Sequence, residues 1–473
     1  MRGRGPTSNE LAVEELRQRI VGLDVKVPVL DGSRRPYVNF DNAATTPALW
    51  DVVETLDIFL PWYSSIHRGT GFKSQIATAA YDDARQIVAR FFGADPADQV
   101  VIFVKNSTEA LNKAARRIPL APDDVVLVSL MEHHSNDLPW RPRARVVHVG
   151  VTTDGVLDLD DLQRKFAEYE GRVRLLAITG ASNVTGLINP IHELAGLAHR
   201  HGAQILVDAA QLAAHRAIHM GPVGDPGHID FLVASAHKMY APYGSGVLIG
   251  PRALFAQGAP DYSGGGTVEI VTEDDVYWTA PPERDEAGSP NVLGAVAMAA
   301  ACRALREIGM DRLAAHEAEL TRYALTGLRQ IEAVELYGDR DPARADQRLG
   351  VIPFNVKGLS HYLVAAVLST EYAIGVRNGC FCAHPYVLRL LDIPDPVAWS
   401  WRKQVIAGVR GHLPGLVRVS FGCYNTHEEV DWLIRALRKI ARGEIAGDYE
   451  QDLTTGTFYE RTFRPESEQY FKL

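Results

Sequence analysis

The chain has 473 residues, 46% of them hydrophobic and 23% charged, enough for one large globular unit with a smaller one attached. Its net charge of -9 argues against a nucleic-acid binder held by bulk positive charge. Four cysteines (Cys302, Cys380, Cys382 and Cys423) are too few for a secreted disulfide scaffold, so a reducing cytoplasm is the expected setting.

The opening twenty residues, MRGRGPTSNELAVEELRQRI, lack the apolar core of a signal peptide. Next, IATAAYDDARQIVARFF puts Ala80, Ala84, Ile87, Val88 and Phe91 at helical spacing, a stripe that reads as core packing. From about residue 98 to 250, short β-branched runs occur at 99–104, 125–128, 145–149, 174–178, 204–208 and 230–234. Helical patterns at 107–118, 159–169 and 191–202 lie between several of them. Such alternation predicts a mostly parallel sheet covered on both faces.

VLGAVAMAAAC (292–302) is too short to span a bilayer and reads as a buried helix within a helical stretch over 292–308. A second helical stretch covers 311–331, followed by RLGVIPFNV, HYLVAAVLST and the loop RNGCFCAHP. The segment 416–443 reads as a strand, a cap at Asn425-Thr426 and an amphipathic helix. The expected division is a large α/β unit over 38–295, a smaller α/β unit from 1–37 plus 296–443, and a surface tail over 444–473.

Asp208 closes the run QILVD, and Lys238 follows DFLVA within SAHKMYAPYGSG. Ligands bind at the carboxyl ends of strands in doubly wound sheets. A lysine there suits a Schiff base, and an aspartate at a neighbouring strand end suits a pyridinium nitrogen. Ser107 and Thr108 begin a helix, where free N–H groups favour a phosphate. Aldehyde, ring nitrogen and phosphate each find a partner, which points to pyridoxal 5′-phosphate. Any one of these residues taken singly is ordinary; their order on one sheet carries the signal.

The block VDAAQ…SAHKMYAPYGSGVL resembles the lysine region of the class V (fold type I) aminotransferase superfamily. VNFDNAATT, HRG, MEHHSNDLPW, ASNVTG, EAGSPN and YNTHEEVD follow in that family's order, and the whole is most similar to the type II, Suf-type cysteine desulfurases, also called selenocysteine lyases. The resemblance implies that Lys238 holds the cofactor, Asp208 pairs with its ring nitrogen, Gln211 bonds its phenolic oxygen and His133 stacks on its ring. It gives Thr108, Ser235 and His237 to the phosphate and sends Ser289 to the phosphate of a neighbouring subunit, implying a homodimer. Asn183 and Arg418 would hold the substrate's α-carboxylate; His134 would be structural.

The family's Arg-x-Gly-x-x-Cys-Ala frame falls on Arg377, Gly379, Cys382 and Ala383, which makes Cys382 the candidate nucleophile. The implied reaction converts L-cysteine, or L-selenocysteine, to alanine, leaves a persulfide on Cys382 and hands the sulfur to an acceptor protein or small thiol. No metal is expected, because C-x-C lacks zinc spacing and a second ligand pair. Cys380-Phe381 departs from the two histidines common in the Suf type, and Gly-Cys-Phe-Cys resembles the desulfurase-like domain of molybdenum cofactor sulfurases. Cys380 is a relay thiol, a trap that holds Cys382 in a regulatory oxidised form, or a bystander packed against the loop. The stretch 391–415 is either a cover or acceptor dock for the site, or a surface excursion. Two alternatives stay open: another class V enzyme (a C–S lyase, epimerase or aminotransferase), which would not need Cys382, or an inactive cofactor-binding scaffold.

Overall fold

A computed structural model describes residues 13–67 and 69–473. The N-terminal residues 1–12 and Arg68 of the HRG motif lie outside the described residues. Seven strands form the central sheet: β1 (Gln99–Val104), β2 (Val125–Ser129), β3 (Arg145–Val149), β4 (Val173–Thr179), β5 (Gln204–Asp208), β6 (Phe231–Ser235) and β7 (Gly246–Pro251). Their spatial order is β1-β7-β6-β5-β4-β2-β3. Strands β2 to β6 pair in parallel, whereas β7 runs antiparallel to both β1 and β6.

The uninterrupted apolar runs follow from burial on both faces. Val101 and Phe103 of β1 enter one hydrophobic cluster, while Val100, Ile102 and Val104 enter another on the opposite face. Helix α1 (Phe72–Phe92) buries Ala84, Val88 and Phe91 and leaves Ala80 and Ile87 partly buried against the same core. It ends at Gly93, whose φ of 62° is the left-handed conformation that stops helices at glycine. Helix α2 (Ser107–Arg117) is capped by the Asn106 side chain, which accepts from the Glu109 N–H at 3.0 Å. Helices α3 (Leu159–Glu168) and α4 (Ile191–Arg200) connect the parallel strands. Helix α5 (Val292–Ile308) is buried continuously from Gly294 to Cys302 and packs on α1.

Helix α6 (Met310–Leu328) leads into a four-stranded antiparallel sheet of order β8-β9-β11-β10, formed by β8 (Val334–Leu336), β9 (Val351–Val356), β10 (Arg377–Gly379) and β11 (Leu416–Ser420). Helix α7 (His361–Tyr372) and, later, α10 (His427–Ala441) cover it. Ile352, Phe354, Val417 and Val419 share one core with Leu320 and Leu325 of α6 and Leu433 and Leu437 of α10. Thr426 caps α10 through a reciprocal bond with Glu429. Between β10 and β11 lie the short helix α8 (His384–Leu390) and α9 (Asp395–Ile406), with Trp399 and Ile406 largely exposed on α9.

The closing segment contains a hairpin, β12 (Tyr449–Gln451) with β13 (Phe458–Glu460). It is tied back to the end of the 391–415 stretch: Arg410 and Gly411 N–H groups donate to the Leu453 carbonyl, and the Gln451 amide donates to Gly411 O at 2.8 Å. Three-residue strands of mixed polarity carry too little periodicity to be read from sequence.

Candidate active site

Strands β2, β4, β5 and β6 end at Ser129, Thr179, Asp208 and Ser235, and the turns beyond them carry His133, Asn183, Gln211 and Lys238. The parallel sheet thus delivers residues far apart in sequence to one rim. A cavity of about 260 Å³ opens there. It is lined by Thr108, His133, Asn183, Asp208, Gln211, Ser235, His237, Lys238, Cys382 and Arg418, all expected from the sequence. Ser289 is not among its lining; it sits on an exposed loop before α5. Ser107, Ser135, Thr179, Arg377 and Phe381 also line the cavity. Of these, Ser135 in MEHHSN and Thr179 carry no sequence signal for a place in the site, and Phe381 differs from the family's loop.

The cavity floor is electrostatically set for an amine and a carboxylate. Burial pushes the Lys238 amine down to about 8, against the opposing pull of the Asp208 charge. Burial also raises Asp208, whose Oδ1 accepts the Ala210 N–H at 3.0 Å. Gln211 donates to the Ala43 carbonyl at 2.8 Å, which fixes its orientation. His133 is pushed to about 4, first by burial and then by the Lys238 charge, so its ring is neutral. Its Nδ1 accepts the Ser135 N–H at 3.1 Å, which leaves the proton on Nε2.

At the start of α2, the Ser235 hydroxyl accepts the Ser107 N–H at 2.8 Å and donates to the Ser107 hydroxyl at 2.8 Å. Thr108 Oγ1 lies 2.8 Å from Ser135 Oγ. Gly246 permits this crowding: a Cβ there would lie 2.7 Å from Ala234 O and 2.8 Å from Asn106 Cα. Backbone N–H groups, hydroxyls and the positive helix end form an anion cradle. Below the rim, Glu132 is buried and accepts from Ser129 Oγ at 2.7 Å, Asn136 Nδ2 at 2.6 Å and Thr179 N at 3.0 Å. Burial lifts it to about 8.

Across the cavity, Arg418 of β11 is 2% exposed. It donates to Asn183 O at 2.8 Å and to Asp41 Oδ1 at 2.9 Å, and its Nε has no partner. Cys382 is exposed and its carbonyl accepts the His134 N–H at 2.8 Å. Phe381 and Cys382 both have left-handed backbones, with φ of 53° and 55°. All four cysteines are free thiols. Cys380 is half-buried, donates to Pro414 O at 3.2 Å and is pushed up to about 12, first by burial. Cys302 and Cys423 are buried. The cavity lining includes no described residue from 391–415, although Pro414 touches the cysteine loop from outside.

The donor set fits pyridoxal 5′-phosphate: a desolvated amine, a buried carboxylate, an aromatic ring and an anion cradle share one space. Among the described residues no group of three or more His, Cys, Asp or Glu side chains could hold a metal, and no helix is long and apolar enough to cross a membrane.

The sequence model of the family aminotransferase class-V matches residues 38–433. A cysteine desulfurase from Klebsiella pneumoniae is 36% identical over 86% of this chain and 94% of its own length. The apo structure of a cysteine desulfurase from Thermococcus onnurineus superposes with a TM-score of 0.75 at 34% identity, covering 86% of this chain and 95% of the other. A cysteine desulfurase structure from Escherichia coli gives 0.74 at 28% identity, covering 92% and 99%.

Proposed function

The chain belongs to the class-V aminotransferase family, and we propose that it is a pyridoxal 5′-phosphate-dependent cysteine desulfurase, converting L-cysteine to L-alanine with a persulfide left on Cys382. The observation that carries this reading is the meeting of Lys238, Asp208, Arg418 and Cys382 on one cavity. A C–S lyase, epimerase or aminotransferase would need the first three but not the thiol.

When bound, the cofactor supplies a ring that withdraws electron density from the substrate's α-carbon. Lys238 would hold its aldehyde carbon, Asp208 the ring-nitrogen proton, Gln211 the phenolic oxygen and His133 the ring face. Thr108, Ser235 and His237 would hold the phosphate, with the start of α2 behind them. Arg418 and Asn183 bind the substrate carboxylate, for which a guanidinium offers paired donors. The Lys238 amine, which burial makes easier to deprotonate than an ordinary lysine, is placed to take the α-proton. The Cys382 sulfur attacks the substrate Sγ. As the Cys382 thiol gives up its proton an S–S bond forms, the Cβ–Sγ bond breaks with its electron pair on Cβ, that carbon takes a proton, and Lys238 returns the α-proton to complete alanine. An acceptor thiol, on a protein or small molecule, then removes the outer sulfur.

A homodimer completes this reading. Ser289 stands clear of its own cavity, as a residue serving a neighbouring subunit must, and Trp50, Ile58, Trp62 and Phe72 leave apolar side chains exposed along residues 50–72. A reducing cytoplasm suits four free thiols. The decisive experiment incubates the holoenzyme with L-cysteine and measures alanine and sulfide, for wild type and Cys382→Ala. Sulfur release that survives the substitution would favour the lyase reading.

A further inference from the structure

We propose that Phe381 is a positioning residue that fastens the nucleophile's loop to the substrate-carboxylate subsite, so that arrival of the carboxylate sets Cys382 free. This rests on the reading of Arg418 and Asn183 as the carboxylate's holders. Both of them grip Phe381 in the structure. The Asn183 Nδ2 donates to the Phe381 carbonyl at 2.8 Å, and the Arg418 guanidinium lies 4.8 Å from the centre of the Phe381 ring. Phe381 is only 9% exposed, whereas the next residue, Cys382, is exposed.

The substrate's carboxylate and Phe381 therefore compete for the same donors. An incoming carboxylate takes the Asn183 amide, and its charge diminishes the pull of the guanidinium on the ring. The loop is ready to leave when this hold weakens. Phe381 and Cys382 are consecutive residues with φ of 53° and 55°, a conformation that side-chain-bearing residues adopt at a cost and that persists only where surroundings impose it. The turn is closed by its own Ala383 N–H to Cys380 O bond at 2.8 Å, and the Asn183 bond to Phe381 O and the His134 N–H bond to Cys382 O pin it to the cavity wall. Substrate binding thus both fills the site and releases the strained turn that carries the sulfur acceptor atom.

The test uses holoenzyme and reads iodoacetamide alkylation of Cys382 by peptide mass spectrometry, with and without L-alanine, which has the carboxylate and no sulfur. In wild type, L-alanine should speed alkylation by roughly threefold to tenfold, the size of one cation–π contact. Phe381→Ala and the bulkier Phe381→Leu should react at the fast rate without L-alanine and ignore it, and Phe381→Tyr should restore the response. Slower or unchanged wild-type alkylation with L-alanine, or wild-type behaviour in Phe381→Ala and Phe381→Leu, overturns the proposal. L-alanine binding is followed independently by the visible spectrum of the bound cofactor. A spectral response lost in Arg418→Ala, with no change in alkylation, sinks the coupling alone. A spectral response that Arg418→Ala leaves intact sinks the carboxylate reading beneath it.

Discussion

The imidazole of His384 lies stacked on that of His134, ring centres 4.8 Å apart and planes inclined by 18°. His384 directs both its backbone N–H, at 3.3 Å, and its Nδ1, at 3.0 Å, at His134 Nε2. That nitrogen must keep its lone pair to accept them. The contact joins the turn after β2 to the residue two beyond the nucleophile.

Acid should break this contact. Burial pulls both imidazoles below their ordinary value, so the stabilisation is complete above the unfolded value of 6.5 and is lost as pH falls through the lowered folded one. His384→Ala should melt at a lower temperature than wild type at neutral pH, with the gap narrowing as pH falls below 6.5. Thermal melts across that range check it; a gap that widens in acid counts against it.

Lys238 gives a prediction about cofactor capture. Its amine is a nucleophile only when neutral, and its value of about 8 puts that change just above neutrality. The rate at which cofactor-stripped protein takes up pyridoxal phosphate should climb as pH rises through about 8 and then level off. Lys238→Ala should never gain the covalent cofactor's visible absorbance. Stopped-flow absorbance measures both.

The two loop cysteines should separate chemically. Cys380, with its value pushed up to about 12 and its hydrogen given to Pro414, is a thiol at neutral pH. Limited iodoacetamide should mark Cys382 first. Cys382→Ala should lower alanine formation by about 10³-fold or more. Cys380→Ala should retain alanine formation and alter only delivery to an added thiol acceptor, which paired alanine and sulfide assays would resolve.

Glu132 should impose a pH dependence of opposite sign to that of His134. Its folded value is raised to about 8 by burial, so its contribution is whole below the unfolded value of 4.5 and lost as pH rises through about 8. Glu132→Gln should flatten the fall in stability over that window. Urea midpoints at several pH values measure the slope; parallel curves for the two proteins would reject the assignment.

The central sheet was legible because strands covered on both faces write themselves as unbroken β-branched runs, as QVVIFV does for β1. Strand β7 was not, since GVLIGP follows directly on a Gly-rich turn and reads as its continuation, and apolar periodicity could not have given its reversed direction either. Lys238 and Asp208 could be read because they stand at or just beyond strand ends, whereas Arg418, in mid-strand, was reached only through the family resemblance. Asp41, the Arg418 partner, sat in a quoted motif with nothing in its spacing to give it a role. The clasp of Asn183 on Phe381 was beyond reach. It depends on two non-glycine residues with left-handed backbones, and no residue type in GCFCA announces that.

The hairpin β12–β13 holds Arg410 and Gly411, and a few residues later Leu413 O receives the His361 ring N–H at 3.1 Å while Pro414 O receives the Cys380 thiol. His361 in turn accepts from Asn378, in the strand that launches the cysteine loop. The last stretch of the chain is therefore an outrigger for the reactive turn. Trimming it would loosen the brace behind the cysteine loop without touching any group that meets substrate.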